Sequence, residues 1–287
     1  MDTYRLAIAN IGRDKSTTFR RGAVMRLGKL LRGDTFLLLC EVDEGDSGDE
    51  LAWIQLAFPG QVVMNAGRRE VMVLPKGWKT SEEHWDFVHR GLKHVTPARG
   101  VSVGVAQGPK SWQTLGLVSI HPVAGHDTNP GQIHEAKRDE FWNAYWRAVK
   151  VWVAKLLVRD ITTVVGGDSN DPDCPLPHNT AKRLVKAGID VLDVVEASGG
   201  VRVIQRGKPQ RIELGIDNHA CHVVEVELRP RSLWIRTQGE HFNKAKGELW
   251  AARRQAVKAG ATKLAADTLA IIEQIKRDVR WFKVRRK

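Results

Sequence analysis

Val164-Val165-Gly166-Gly167-Asp168-Ser169-Asn170 closes a β-branched run that begins at Ile161. The run reads as a buried strand, and the glycine pair is expected to end it abruptly. Asp168 and Asn170 then stand two residues apart at the strand's carboxyl end, so both side chains can project the same way. Open α/β sheets keep their ligand-binding groups at such ends. A carboxylate beside a carboxamide suits hydrolysis: the first takes a proton from water, and the second orients the nucleophile or the group attacked. Gly, Asp, Ser and Asn are also the commonest turn residues, so the stretch alone leaves a plain strand-to-turn junction open.

Similar strand ends recur along the chain. Tyr4 to Ile11 alternates as a strand with Tyr4, Leu6, Ile8 and Asn10 on one face, and Asn10 ends that face before Gly12. Between Thr18 and Leu31 the apolar residues Phe19, Ala23, Val24, Leu27, Leu30 and Leu31 keep a helical period. Phe36 to Cys40 follows as a fully buried strand and ends in Glu41, either a solvated terminus or a ligand at the sheet's active edge. Two short strands are expected at Gln61–Asn65 and Glu70–Leu74. The polar, Trp- and His-rich segment Pro75–Arg99 reads as a long surface excursion, either substrate-facing or without a role.

Val101–Ala106 and Leu115–Ile120 form a strand pair whose second member runs into His121-Pro122, and Ile133–Leu157 is a long amphipathic helix. Beyond the organising stretch the pattern gives a helix near Asn179–Ala187 and a strand at Val191–Val195. Val201–Gln205 and Arg211–Ile216 then read as a hairpin about Arg206-Gly207-Lys208-Pro209, followed by Asp217-Asn218-His219 and a final strand Val223–Leu228.

Composition bounds the partners. A hydrophobic content of 42% in 287 residues supports a real core. Cys40, Cys174 and Cys221 lack CxxC spacing, which fits a reducing cytoplasm and no zinc cluster. No signal-peptide layout or apolar run of membrane-spanning length appears, so a soluble cytoplasmic protein without membrane insertion is expected. The formal charge of +12 is concentrated. Residues 229–287 carry 16 Lys/Arg against 5 Asp/Glu, which leaves the rest near neutral. A domain boundary is therefore placed at Arg229-Pro230-Arg231, before a basic helical extension. Its cations, among them Arg253, Arg254, Lys258, Arg285 and Arg286, are candidate contacts to a polyanion, DNA or RNA first and an anionic membrane surface second.

Taken together, Asn10, Glu41, His121, Gly-Asp-x-Asn at 167–170 and His219 at successive strand ends resemble the endonuclease/exonuclease/phosphatase superfamily, metal-dependent phosphoesterases related to pancreatic-type deoxyribonuclease. The resemblance runs from about Tyr4 to Leu228, and Gly-Asp-x-Asn is its most specific motif. It implies an α/β four-layer sandwich of two packed mixed β-sheets flanked by helices. By the same similarity Glu41 binds metal with Asn10 shaping the site, Asp168 aligns or deprotonates the attacking water, and Asn170, His121 and His219 act at the phosphate.

The chain departs from the family pattern in its closing triplet, where Asn218 stands in place of an Asp. Asp217 is then the candidate to take over, one residue early. Ser119 replaces the Asn of Asn-x-His, and the phosphate-clamping Tyr of abasic-site endonucleases is missing. Glu41, Asn10 and Asp217 are all oxygen donors, which suits Mg²⁺ or Mn²⁺ better than zinc. The expected function is a divalent-metal-dependent phosphodiesterase, a nuclease on DNA or RNA. A phosphatase of inositol phosphates or another small phosphoester is the alternative on the same scaffold, and a non-catalytic nucleic-acid-binding protein is the alternative from another class.

Overall fold

The computed structural model describes residues 2–12, 15–42, 49–65, 70–87, 100–122, 135–159, 161–168, 193–197, 201–204, 210–216 and 219–229, with parts of 249–273. Two compact units make up the chain, Met1–Leu228 and Arg229–Lys287.

The first unit is built on two mixed sheets. In one, β1 (Asp2–Asn10) pairs parallel with β2 (Thr35–Cys40), and β2 pairs antiparallel with β4 (Val71–Val73), which carries β3 (Val63–Met64) at the edge. On its other side β1 pairs antiparallel with β12 (His219–Leu228), whose far edge is shared by β10 (Val201–Val203) and β11 (Gln210–Ile216). The second sheet runs β5 (Lys79–Phe87), β6 (Gly100–Gln107), β7 (Thr114–Ile120), β8 (Thr162–Asp168), β9 (Asp193–Ala197), antiparallel except for the parallel β7–β8 pair.

Three apolar layers hold these elements together. Helices α1 (Thr17–Leu30) and α2 (Asp49–Ala57) bury Ala23, Val24, Leu27, Ile54 and Ala57 against Ala7, Ala9, Leu37, Leu39 and Val73 of the first sheet. Helix α3 (Glu135–Val158) buries Tyr145, Trp146, Val149 and Leu156 against Val103, Val118, Ile120 and Val165 of the second. Between the sheets lie Leu6, Ile8, Phe36, Leu38, Met72, Leu117, Val164 and Val224. Burial of this kind contributes roughly 25 cal/mol per Å² of apolar surface, which is why helix, sheet, sheet and helix stack as four layers. Among the described residues no helix is long and apolar enough to cross a membrane.

Strand alternation carries the site. On β1, Leu6 and Ile8 face the other sheet, so Asn10 faces it too; on β7 and β8 the same parity takes Leu117 toward His121 and Val164 toward Asp168. The polar residues thus emerge at one end of the layer between the sheets.

Several expectations are corrected. The glycine pair does not end its strand: β8 continues through Gly166 and Gly167 to Asp168. Gly167 has φ 142, and a Cβ there would meet the Ile120 carbonyl oxygen at 2.0 Å, so glycine at 167 is needed for close approach to β7. The Pro75–Arg99 segment is not a surface excursion throughout. Trp78 is buried against Phe36 and Tyr4, and β5 is the edge strand of the second sheet. Its polarity reflects that edge position: Arg159 donates to both oxygens of Glu82, holding its carboxyl down at about 2, and His84 stacks on Trp152. Residues 88–99 lie outside the described residues.

Val201–Gln205 and Arg211–Ile216 do not form a hairpin, because β10 and β11 each pair with β12 instead of with each other. The structure adds helix α2, and β12 begins at His219, earlier than Val223. The helix near Asn179–Ala187 falls outside the described residues.

Gly167→Ala should lower the unfolding free energy by about 2–4 kcal/mol, through a strained backbone and a backbone clash together. Gly22→Ala, in α1 with nothing within 4 Å of the added methyl, should instead raise it by about 0.5–1 kcal/mol. Urea denaturation of the two variants beside the parent checks both signs.

Candidate active site

Five strand termini, drawn from both sheets, converge at the open end of the inter-sheet layer. Asp168, 1% exposed, accepts a hydrogen bond from Asn10 Nδ2 at 2.9 Å, a contact made across the two sheets. Asn10 is itself fixed, since its Oδ1 accepts from the Gly12 amide at 2.9 Å in a turn where Gly12 takes φ 66. His121 Nε2 lies 3.4 Å from Glu41 Oε1 and 3.7 Å from Asp168 Oδ2. His219 Nε2 lies 3.7 Å from the same Asp168 oxygen. A buried carboxylate is therefore surrounded by one amide and two imidazoles, which offsets the cost of taking its charge out of water.

The two histidines differ in exposure. The His121 side chain is 1% exposed and that of His219 17%, so the first belongs to the floor of the site and the second to its rim. The backbone amide of His121 donates to the Tyr145 hydroxyl at 2.9 Å, which ties the loop after β7 to α3. Cys40 donates its thiol to the Ile120 carbonyl at 3.6 Å, a second tie between the sheets beside the site.

Glu41 breaks the alternation of β2. Leu37 and Leu39 face the helices, and a straight continuation would send Glu41 the same way. Its φ of 63 places it in the left-handed region, which costs a non-glycine residue about 1–3 kcal/mol, and its carboxylate comes to His121 instead. Arg20 of α1, 4% exposed, donates from Nη2 to the Glu41 carbonyl at 2.5 Å and to Glu50 Oε2 of α2 at 2.7 Å.

No family model matches the sequence, and no curated protein matches it. Solved structures do. TDP2 from Caenorhabditis elegans superposes with a TM-score of 0.59 at 11% identity, covering 78% of this chain and 75% of that one. D. rerio TDP2 complexed with a single-strand DNA product gives 0.58 at 12%, covering 79% and 100%. An endonuclease/exonuclease/phosphatase from Bacteroides vulgatus gives 0.53 at 13%, covering 80% and 100%. The chain has the endonuclease/exonuclease/phosphatase fold.

Within that fold the described residues bring Asn10, Glu41, His121, Asp168 and His219 together. Asn170, Asp217 and Asn218 lie outside the described residues, as do Arg285 and Arg286. His222 sits in β12 opposite Ile8 of β1, one step deeper in the layer than Asn10, and is buried. In the second unit Arg254 and Lys258 are exposed, and the Arg253 guanidinium lies 5.5 Å from the centre of the Trp250 ring.

Among the described residues no three His, Cys, Asp or Glu form a metal-holding group. What the site offers is a partly exposed carboxylate, Glu41, near a buried one, Asp168, with the Asn10 amide oxygen beyond. Oxygen donors of this kind suit a hard cation that retains most of its water.

Sequence reading missed Arg20, Glu50 and Tyr145. A signal for the first was present: Arg20, Ala23, Val24 and Leu27 share one helical face, and an arginine on an apolar face needs a buried partner. Tyr145 had no comparable signal, because an aromatic on an inward helix face reads as core whether or not its hydroxyl is used.

Tyr145→Phe removes only the hydroxyl that accepts from the His121 amide. It should cost about 1–3 kcal/mol by leaving that amide without its partner in a buried place, and exchange of the His121 amide hydrogen should accelerate selectively. Hydrogen exchange followed residue by residue checks this; unchanged protection at His121 would count against the tie.

Proposed function

We propose that this protein is a divalent-metal-dependent phosphodiesterase acting on nucleic acid. The observation that carries the reading is the convergence of Asn10, Glu41, His121, Asp168 and His219 around a buried carboxylate at one end of a two-sheet sandwich. The likeness to D. rerio TDP2 with a single-strand DNA product supports a nucleic-acid substrate, as does the charge of the basic extension.

Each residue then has a task. Glu41, with the Asn10 oxygen nearby, would hold Mg²⁺ or Mn²⁺, which when bound supplies positive charge to the phosphoryl oxygens. Asp168, locked by Asn10, takes a proton from the attacking water as its oxygen bonds to phosphorus and the bond to the leaving oxygen breaks. His121, flanked by two carboxylates, donates a hydrogen bond to a non-bridging phosphoryl oxygen as charge builds there. His219, on the rim, gives a proton to the leaving oxygen. Asn170 orients the phosphate, and Asp217 is assigned as a further oxygen donor near the cation.

The site and the extension form separate domains in this reading, 1–228 for chemistry and 229–287 for grip. Arg253, Arg254, Lys258, Arg285 and Arg286 neutralise backbone phosphates of a long strand, whereas a short substrate needs only the site.

Turnover on a labelled single-stranded oligonucleotide tests the catalytic assignment. Chelation should abolish it and Mg²⁺ or Mn²⁺ restore it. Asp168→Asn should lower kcat by about 10²–10⁴-fold and Glu41→Gln should act in the same direction, with circular dichroism unchanged in both. Near-parent activity in either folded variant would sink the assignment.

Removing residues 229–287 should leave turnover on a short oligonucleotide and weaken binding to long strands. The dependence of log affinity on log salt should flatten by roughly 0.7 for each single-strand phosphate that the extension no longer neutralises. An unchanged slope in a folded truncation would assign the polyanion binding to the first domain.

A further inference from the structure

Arg20 is the charged member of α1's buried face, which otherwise holds Ala23, Val24 and Leu27. One of its nitrogens serves two acceptors, the Glu41 main-chain carbonyl at 2.5 Å and the Glu50 carboxylate at 2.7 Å. Glu50 is itself buried at the start of α2, so the guanidinium is fixed from the helix layer. A guanidinium held this way is costly to displace, because doing so separates a buried ion pair. The carbonyl it grips belongs to Glu41, the described non-glycine residue with positive φ. Such a conformation persists only where the surroundings over-determine it. It is also what turns the Glu41 side chain away from the helices and to within 3.4 Å of His121.

We propose that Arg20, locked by Glu50, is the positioning residue that keeps Glu41 left-handed and so sets the affinity of the site for its divalent cation. The inference rests on the reading of Glu41 as a metal ligand. It places control of the cation in a helix-layer ion pair that never touches substrate. The peptide geometry is the element acted on: with the carbonyl released, residue 41 relaxes to ordinary extended backbone, and the carboxylate follows Leu39 toward the helices.

The test uses the full chain, Mn²⁺ titration calorimetry and crystal structures of the metal-free protein. Arg20→Gln, read at a temperature where circular dichroism shows it folded, should raise the Mn²⁺ Kd by about 10–100-fold, the range for residues that orient a metal ligand. Its metal-free structure should show Glu41 at negative φ with the carboxylate away from His121. Arg20→Lys should recover part of the affinity, which a purely structural loss would not predict. A folded Arg20→Gln with parent-like Kd and Glu41 still near φ 63 overturns the proposal. If the parent itself binds no Mn²⁺, the metal reading fails, and the backbone of residue 41 in the variant alone decides the positioning claim. Should Arg20→Gln not fold, Arg20→Lys decides on both readings: a raised Kd with a displaced Glu41 supports the proposal, and neither change overturns it.

Discussion

The hydrogen bond from Asn10 to Asp168 is the constraint around which the first unit is arranged. Its donor ends the central strand of one sheet and its acceptor ends a strand of the other, so it forms only if both sheets are in register and at their proper separation. A carboxyl group with 1% exposure is costly to bury without such partners. The apolar layer beneath supplies the spacing: Ile8, Leu38, Leu117 and Val164 fill the gap, and the polar ends of the same strands inherit their facing direction. Packing and chemistry are thus two ends of one alternation.

That alternation explains how much was legible in the sequence. Asn10 follows Tyr4, Leu6 and Ile8 at a period of two, so its face could be read from neighbouring letters, whereas His121 and Asp168 could be read only as strand ends. Glu41 could be found as a strand terminus but not aimed, because its direction depends on a left-handed backbone that Leu-Leu-Leu-Cys-Glu does not announce. The fold class was likewise readable from buried strands and amphipathic helices. Edges were not. An outer strand such as β5 buries little and keeps polar residues, so its letters resemble a loop, and it becomes a strand because β6 offers unpaired backbone groups. The same limit produced the false hairpin: turn residues at 206–209 are compatible with one, but β12 is long enough to take β10 and β11 in succession on a single edge.

Glycine at 167 has a different meaning from glycine in a turn. With Ile120's carbonyl where a Cβ would stand, the β7–β8 approach requires the absence of a side chain at that position. The two strands pair in parallel with Ile120 opposite Gly167, so His121 and Asp168 leave their strands side by side. A strand terminus and a turn signal were both plausible readings of the Gly-Gly pair; the parallel neighbour decides between them, and neighbours are not written locally.

Support for the site comes from behind as well as from below. Tyr145 of α3 holds the His121 amide on one flank, and Arg20 of α1 holds the Glu41 carbonyl on the other. Both grips are on main-chain atoms, which leaves the functional side chains their own hydrogen-bonding capacity. Each helix layer therefore does more than cover its sheet: it fixes the backbone just past a strand end, where the ladder no longer does. β2 ends at Cys40, so residue 41 lies past the ladder. A buried arginine held by a buried glutamate is stiff enough to impose a conformation that a neutral, freely rotating donor would not. Placing that stiffness in the helix layer keeps the guanidinium charge neutralised by Glu50.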